Sequence, residues 1–278
     1  MQYVDYKVPA PPALLEIAGV ASGSTVLEAL DHIEISKHSV ETIIQSLPLL
    51  VPRYFSIASS PATHPNVIHL TIAELFGGRV STALASAVAK EPSAVPLQLR
   101  GQVRRSKFRL PANPLAPLLL VGAGTGVAAL RGLLLERKML ARAAGTTITA
   151  NHYRDFHDVL CLLGFRTPEE HLFAGSAPFV SEGGTLIEAA YSRVAETMRV
   201  DDLIHRHAEG IVSMLAAGGA VRVCGSHEVG RDVETALTDV CAYARGVPPE
   251  DGKAYITALK REGRILFDTY SHATTVAA

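Results

Sequence analysis

The chain has 278 residues, of which 48% are hydrophobic, and this length suffices for one large core or two smaller ones. Its 26 basic and 27 acidic residues give a formal net charge of -1, so no long-range field favours nucleic acid, an anionic membrane or a strongly charged partner. The three cysteines, Cys161, Cys224 and Cys241, fit neither a zinc site nor a secreted disulfide framework. Together with an N-terminus that does not resemble a signal peptide, they predict a cytoplasmic location.

The first third of the chain is predicted to change from helices to strands. After the prolines at 9–12, helical spacing appears around Thr25 to Ile33 and Ser39 to Leu47. From Pro52, RYFSIAS and VIHLTIAEL are rich in β-branched and aromatic residues and predict antiparallel strands, with a third candidate in VPLQLRG at 95–101. The three prolines of KFRLPANPLAP then indicate a linker.

After Pro117 the sequence alternates between apolar strands and helices. The predicted strands are LLLVG, VLCLLG, TLIEAAYS, AVRVCG and RILFD, and the intervening helices are predicted to end near Ala143, Leu215 and Tyr243. This alternation predicts a parallel sheet with helices packed on it. The segment TTITANHYRDFHD does not follow it and indicates an insertion or an extra strand, and its histidines match no metal-ligand spacing, so no metal site is predicted.

The most apolar stretch, Ala116 to Leu135, has the length of a membrane span. It contains four glycines and Arg131, with turn-forming residues at its centre, so we interpret it as a strand, a turn and a helix. No integral membrane segment is therefore expected.

A glycine turn joins this strand and helix. Gly122, Gly124, Thr125 and Gly126 would let the backbone turn tightly and approach a pyrophosphate, whose charge is favoured by free amides and by the helix N-terminus. The lysine and hydroxyl residue of a nucleotide triphosphatase loop do not follow Gly126. In methyltransferases, the corresponding glycine turn generally follows the first strand of the fold, and that strand carries an acidic residue. LLLVG has no acidic residue. A turn that uses glycine only for close packing stays an alternative.

Six motifs in one order carry a resemblance to a known family. They are PRYFSIASSPATHPNVIHLTIA, GRVSTAL, FRLPANPLAPLLLVGAGTGVAALRGLLLER, YSR at 191–193, VRVCGS at 221–226 and GRILFDTYS. Over residues 24–271 the chain resembles the ferredoxin-NADP reductase-like C-terminal portion of the NADPH-dependent diflavin reductases. The resemblance implies an α/β, ferredoxin reductase-like fold with FAD and NADPH as cofactors. A partial antiparallel FAD-binding β-barrel with a helical insertion would occupy residues 1–112, and a Rossmann-like parallel-sheet NADP-binding domain would occupy 113–278.

For FAD, the resemblance assigns two stretches. The FAD-binding residues it implies are Arg53, Tyr54, Phe55, Ser56, Gly78, Val80, Ser81 and Thr82. The arginine would neutralise the pyrophosphate, the next three residues would hold the flavin ring, and the later stretch would form a second pyrophosphate loop. Phe55 replaces the tyrosine that the family usually has, so ring stacking is retained without one hydroxyl.

For NADPH, the resemblance implies that the glycine turn holds the pyrophosphate and that Ser192 and Arg193 bind the 2′-phosphate. Met198 stands at the position of a family lysine, and Arg199 is a further candidate because it is the next residue. Tyr270 falls where larger members carry a tryptophan lid over the flavin.

The catalytic residues implied by the resemblance are Ser56, Cys224 and Asp268, around the point where nicotinamide meets flavin. Taken from the sequence alone, Cys224 is equally well explained as a small apolar residue at a strand end.

By the resemblance, we expect this sequence to lack the FMN domain and the first barrel strands of the family. Two hypotheses follow. In the first, the chain is a FAD-containing NADPH reductase that passes electrons to an acceptor protein or an FMN-containing carrier. In the second, it is an NADPH-binding regulatory or degenerate module that binds flavin weakly or not at all.

Overall fold

The structure is a computed structural model that describes residues 10–48, 53–74, 79–89, 99, 101–145, 158–176, 178–179 and 184–270. The chain divides into two compact units. The helical unit comprises Met1–Tyr54, Glu74–Ala94 and Ser271–Ala278, and the sheet unit comprises Phe55–Ala73 and Val95–Tyr270. The boundary between residues 112 and 113 stays a prediction. Gly78, most of the candidate strand at 95–101 and the segment 146–157 lie outside the described residues.

The described residues of the helical unit form short helices: α1 (Pro12–Ala18), α2 (Val26–His32), α3 (Val40–Ser46) and α4 (Arg79–Ala89). The two predicted helical segments are confirmed as α2 and α3. Each begins at a hydroxyl cap: the Thr25 hydroxyl accepts the N–H of Glu28, and the Ser39 hydroxyl accepts the N–H of Thr42. Helix α1 was not predicted; it opens with proline, which fits the first turn of a helix.

The sheet unit is built on five parallel strands, and all five predicted strands are confirmed. They are β1 (Leu118–Ala123), β2 (Val159–Phe165), β3 (Thr185–Tyr191), β4 (Ala220–Ser226) and β5 (Ile265–Tyr270). Their spatial order is β3-β2-β1-β4-β5, so the direction of winding reverses between β1 and β4. Ligands of open parallel sheets bind outside the carboxyl ends of the strands at such a reversal.

Helices cover both faces of the sheet. The sheet-unit helices are α5 (Val127–Ala143), α6 (Val200–Arg206), α7 (Ala208–Ala216), α8 (His227–Arg245) and α9 (Pro249–Arg261). Alternate β1 residues enter separate cores: Leu119 and Val121 pack in the cluster that includes α6 to α9, and Leu118 and Leu120 pack with α5. The end of α5 agrees with the prediction, whereas the helix expected to reach Leu215 is divided into α6 and α7.

Two local expectations differ from the structure. Helix α9 was not predicted; it follows Pro248 and opens with Pro249, because proline again fits the first turn of a helix. The segment TPEEHLF follows VLCLLG, where the alternation of strands and helices predicts a helix, but it contains only a short 3-10 turn at Pro168–Glu170.

The predicted antiparallel barrel strands are reduced to a single bridge in the described residues. Ile57 and Leu70 form an antiparallel bridge, and the Ala58 N–H donates to the His69 carbonyl at 2.8 Å. Within the described residues, RYFSIAS and VIHLTIAE are therefore paired at one bridge rather than as continuous strands, which fits the marginal stability of a two-stranded pairing in water.

Within the described ranges, no helix has both the length and the apolar composition that crossing a membrane would require.

Candidate functional site

The glycine turn lies where β1 ends and α5 begins. Gly124 has a φ of 53°, and a Cβ there would meet nothing within 4 Å. A Cβ on Gly126 would lie 2.2 Å from the Cys224 carbonyl oxygen, so only glycine lets the turn approach β4 this closely. Gly126 is also the N-cap of α5, and it offers no side chain to the first free amides. Packing thus explains Gly126, but the open space at Gly124 is what an approaching anion requires.

The three predicted catalytic residues come together beside this turn. Cys224 on β4 and Asp268 on β5 are direct neighbours in the sheet register. Ser56 donates a hydrogen bond from Oγ to Asp268 Oδ2 at 3.2 Å, and Cys224 Sγ lies 4.0 Å from the same oxygen. Residues separated by more than 200 positions therefore share one carboxylate at the carboxyl end of the sheet.

Burial keeps the Cys224 thiol protonated. The residue is fully buried, and loss of water, reinforced by the Asp268 carboxylate, raises the pKa of the thiol to about 12. Cys224 is therefore a neutral, compact group at neutral pH rather than a thiolate nucleophile.

Tyr270 closes one side of the turn. Its hydroxyl lies 2.9 Å from Thr125 Oγ1, which links the end of β5 to the turn after β1. Burial raises the pKa of this phenol. The tyrosine is thus fixed next to the glycine turn, and its role as a lid over the flavin stays a prediction.

An arginine that the sequence analysis did not assign holds the segment with Ser56 on the sheet unit. Arg131 of α5 donates to the Ala58 carbonyl at 2.7 Å and lies 3.3 Å from His69 Nδ1. In the next position, a Cβ on Gly132 would approach the Ile57 carbonyl oxygen at 3.1 Å. The sequence signal for this contact is a charged residue followed by glycine inside an apolar helix. In the sequence analysis, Arg131 served only as evidence against a membrane span.

The predicted 2′-phosphate pair lies at the carboxyl end of β3. The Ser192 N–H donates to the Phe165 carbonyl at 3.0 Å, and both Ser192 and Arg193 are exposed. Next to this pair, His171 Nδ1 lies 2.9 Å from the hydroxyl of Tyr191, the residue before Ser192. The His171 ring also packs on the Phe165 ring, with centroids 4.5 Å apart. This support was not identified in the sequence, because it joins residues of three separate segments.

Arg199, the third NADPH candidate, points to a different place. Its guanidinium forms an ion pair with Asp232 of α8 and lies near Asp201 and Glu228. Its charge is therefore compensated by carboxylates in the structure.

The predicted FAD residues are distributed over both units. Arg53, Tyr54, Val80 and Thr82 are exposed and Ser81 is partly buried in the helical unit, while Phe55 in the sheet unit is 37% exposed. Their roles stay predictions.

Comparisons with known proteins agree with these motifs. A family model described as the FAD binding domain matches residues 15–75. NADPH--cytochrome P450 reductases of Mus musculus and Oryctolagus cuniculus are 32% and 30% identical over 84% of this chain and 35% of their own length. The enzyme of the same name from Phanerodontia chrysosporium is 28% identical over 83% of this chain and 40% of its own length.

The chain thus spans well under half of the length of these curated relatives. The FAD binding domain match includes the segment with Ser56, while the relatives match over most of the chain. The six ordered motifs, the parallel sheet and the comparisons agree, and we conclude that the chain is similar, over most of its length, to the C-terminal portion of the NADPH-dependent diflavin reductases.

Proposed function

We propose that the chain is a FAD-containing reductase that oxidises NADPH and passes electrons to a separate acceptor, such as a haem protein or an FMN carrier. The observation that carries the proposal is the convergence of Ser56, Cys224 and Asp268 beside the glycine turn. A purely structural turn would require the glycines but not a buried thiol and a hydroxyl directed at one carboxylate.

The sheet unit supplies the groups that would hold the dinucleotide. The turn from Gly122 to Gly126 combines an open left-handed glycine with the N-terminus of a 17-residue helix, which fits a pyrophosphate. Ser192 and Arg193, exposed at the end of the neighbouring β3, would bind the 2′-phosphate. Tyr270 would limit the space next to the turn through its contact with Thr125.

FAD, when bound, supplies an isoalloxazine ring able to accept a hydride from a nicotinamide. Where the two rings meet, the residues of this chain have to align the rings and stabilise charge. They do not have to transfer protons. Asp268 would stabilise positive charge that develops on a nicotinamide ring. Ser56 would fix the orientation of this carboxylate by its hydrogen bond, and Cys224 would contribute an uncharged surface that excludes water.

The assignments to FAD rest on the resemblance and on the FAD binding domain match at residues 15–75. They concern Arg53, Tyr54, Phe55, Gly78, Val80, Ser81 and Thr82, and the last four lie beyond the matched range.

The test is a spectrum of the purified chain after reconstitution with FAD, followed by anaerobic addition of NADPH. We expect a flavin absorbance that NADPH bleaches. Asp268→Asn should slow the bleaching about tenfold to a hundredfold while flavin binding is retained, because a preorganised charge next to the reacting ring is lost. The exposed Glu250→Gln carries the same change in net charge and should not slow it. A chain that cannot be loaded with FAD would contradict the proposal.

An NADPH-binding regulatory module is the second candidate, and one observation favours it. The segment that carries Phe55 has a single antiparallel bridge, and Val67, Ile68 and Leu70 near its partner strand are 52%, 52% and 44% exposed. Binding of NADPH without any retention of FAD would select this candidate over the reductase.

A further inference from the structure

Arg199 is surrounded by acidic side chains from two helices. Its backbone N–H donates to Asp202 Oδ2 at 2.7 Å, and its Nε lies 3.5 Å from Asp201 at the start of α6. From α8, Asp232 forms an ion pair with its guanidinium and Glu228 approaches to 3.9 Å. Three carboxylates therefore face the guanidinium, and a fourth, that of Asp202, accepts the backbone N–H of the same residue.

Arg199, Asp201 and Asp232 also line a groove between α6 and α8, together with His205 of α6. Its volume is about 230 Å³, and its lining includes Arg199, Asp201, Asp232 and Asp239. Three carboxylates and one guanidinium leave the groove with net negative charge, which repels a phosphate monoester. An arginine held here is unavailable to an anion unless its ion pair with Asp232 breaks.

The charge environment of Arg193 differs from that of Arg199, although both residues lie near the carboxyl end of β3. The Met198 N–H donates to the Tyr191 carbonyl at 3.0 Å. The backbone just before Arg199 therefore lies next to Tyr191, the residue before Ser192. Arg193 is exposed, and the ion pairs found in the described part of the chain do not include it. Among the residues that the structure describes, Arg199 therefore has carboxylate partners and Arg193 has none.

We propose that Asp232 is a specificity-determining residue, which weakens the preference for 2′-phosphorylated dinucleotides by holding Arg199 in the acidic groove. The inference rests on the proposed binding of NADPH by the sheet unit. Recognition of the 2′-phosphate then depends on Ser192 and Arg193, and release of Arg199 adds a second cation within reach of the same strand end.

The test is calorimetric titration of the full chain with adenosine 2′,5′-bisphosphate and with 5′-AMP, which requires neither FAD nor turnover. Asp232→Asn keeps the shape of the side chain and removes its charge. We expect it to tighten binding of the bisphosphate about threefold to tenfold, in line with one added charge-assisted hydrogen bond at a partly exposed site, and to leave 5′-AMP binding unchanged. The double variant Asp232→Asn/Arg199→Gln should lose this gain, which assigns it to Arg199.

Glu250→Gln is the matched control, because it changes the net charge equally at an exposed position of α9. A comparable gain in this control, or a gain that persists in the double variant, overturns the inference and leaves the proposed function intact. So does an Asp232→Asn variant with unchanged selectivity. Failure of the unmodified chain to bind either nucleotide overturns the proposed function and the inference together.

Discussion

Gly126 is the residue at which packing and the candidate site are most closely joined. Its missing side chain lets the Cys224 carbonyl come within 2.2 Å of where a Cβ would lie. Gly126→Ala therefore has to displace backbone on β4, and we expect it to lower the free energy of unfolding by about 1–3 kcal/mol. Urea denaturation measures this loss.

Gly101→Ala is the control for this substitution, because a Cβ at Gly101 meets nothing within 4 Å and its backbone is not left-handed. Equal stability of the two variants would contradict the close approach of Gly126 to the Cys224 carbonyl. The same Gly126 variant should also weaken NADPH binding, since the turn would move away from β4.

Cys224 gives a second prediction at the scale of the residue. Because its thiol is buried and its pKa is raised to about 12, it should resist alkylation by iodoacetamide at pH 8 in the folded chain. Cys161 and Cys241 are also buried, so mass spectrometry should find all three thiols unmodified, and all three modified in urea. Rapid labelling of Cys224 in the folded chain would contradict its burial beside Asp268.

At the scale of the element, two buried arginines attach the linker to the sheet. Arg222 of β4 donates to the Arg109 carbonyl at 2.5 Å, and Arg137 of α5 donates to the Leu115 and Ala116 carbonyls at 3.1 and 2.8 Å. Burial lowers the pKa of both guanidinium groups to about 10. The linker predicted from its prolines is therefore a fixed element, which seats β1 and the glycine turn that follows it.

We expect Arg137→Met to lower the free energy of unfolding by about 2–4 kcal/mol, because buried linker carbonyls lose their donors. Arg142→Met, at an exposed position of the same helix, is the control and should change it by less than about 0.5 kcal/mol. Thermal or urea unfolding compares the two. A linker that merely crosses the surface would make the two variants equally stable.

At the scale of the whole molecule, the buried thiols make stability depend on alkaline pH. Burial raises the pKa of Cys241 from 9.0 to about 11, that of Cys224 to about 12, and that of Cys161 in the same direction. Above pH 9 the unfolded chain loses thiol protons that the folded chain retains, so the free energy of unfolding falls as pH rises. Below pH 9 this contribution is constant.

Between pH 8 and pH 10 we expect these groups to lower the free energy of unfolding by about 1 kcal/mol per thiol. Urea midpoints at the two pH values measure the change, and Cys241→Ala should show a smaller one. The interval stays at or below the lowered pKa of the buried arginines, whose deprotonation acts in the opposite direction at higher pH. A pH-independent midpoint would contradict the burial of the thiols.

Local patterns in the sequence determined much of this architecture. The alternation of strand-like and helical segments predicted all five parallel strands, and the glycine turn was found because its residues adjoin one another in the chain. The helices that were missed, α1 and α9, both open with prolines, where the same residue type is compatible with a break or with a first turn. The barrel strands were predicted from composition, which cannot show whether neighbouring strands are present to complete a ladder.

The sequence by itself determined the parallel sheet, the position of its glycine turn and, through six ordered motifs, the resemblance to the diflavin reductases. Only the tertiary structure decided that Ser56 and Cys224 meet at Asp268, that Arg131 holds the segment with Ser56, and that Arg199 turns to Asp232. The physical reason is range. Periodicity and turn chemistry act between neighbours in the chain, whereas hydrogen bonds and ion pairs depend on which distant segments the fold brings within about 3–4 Å.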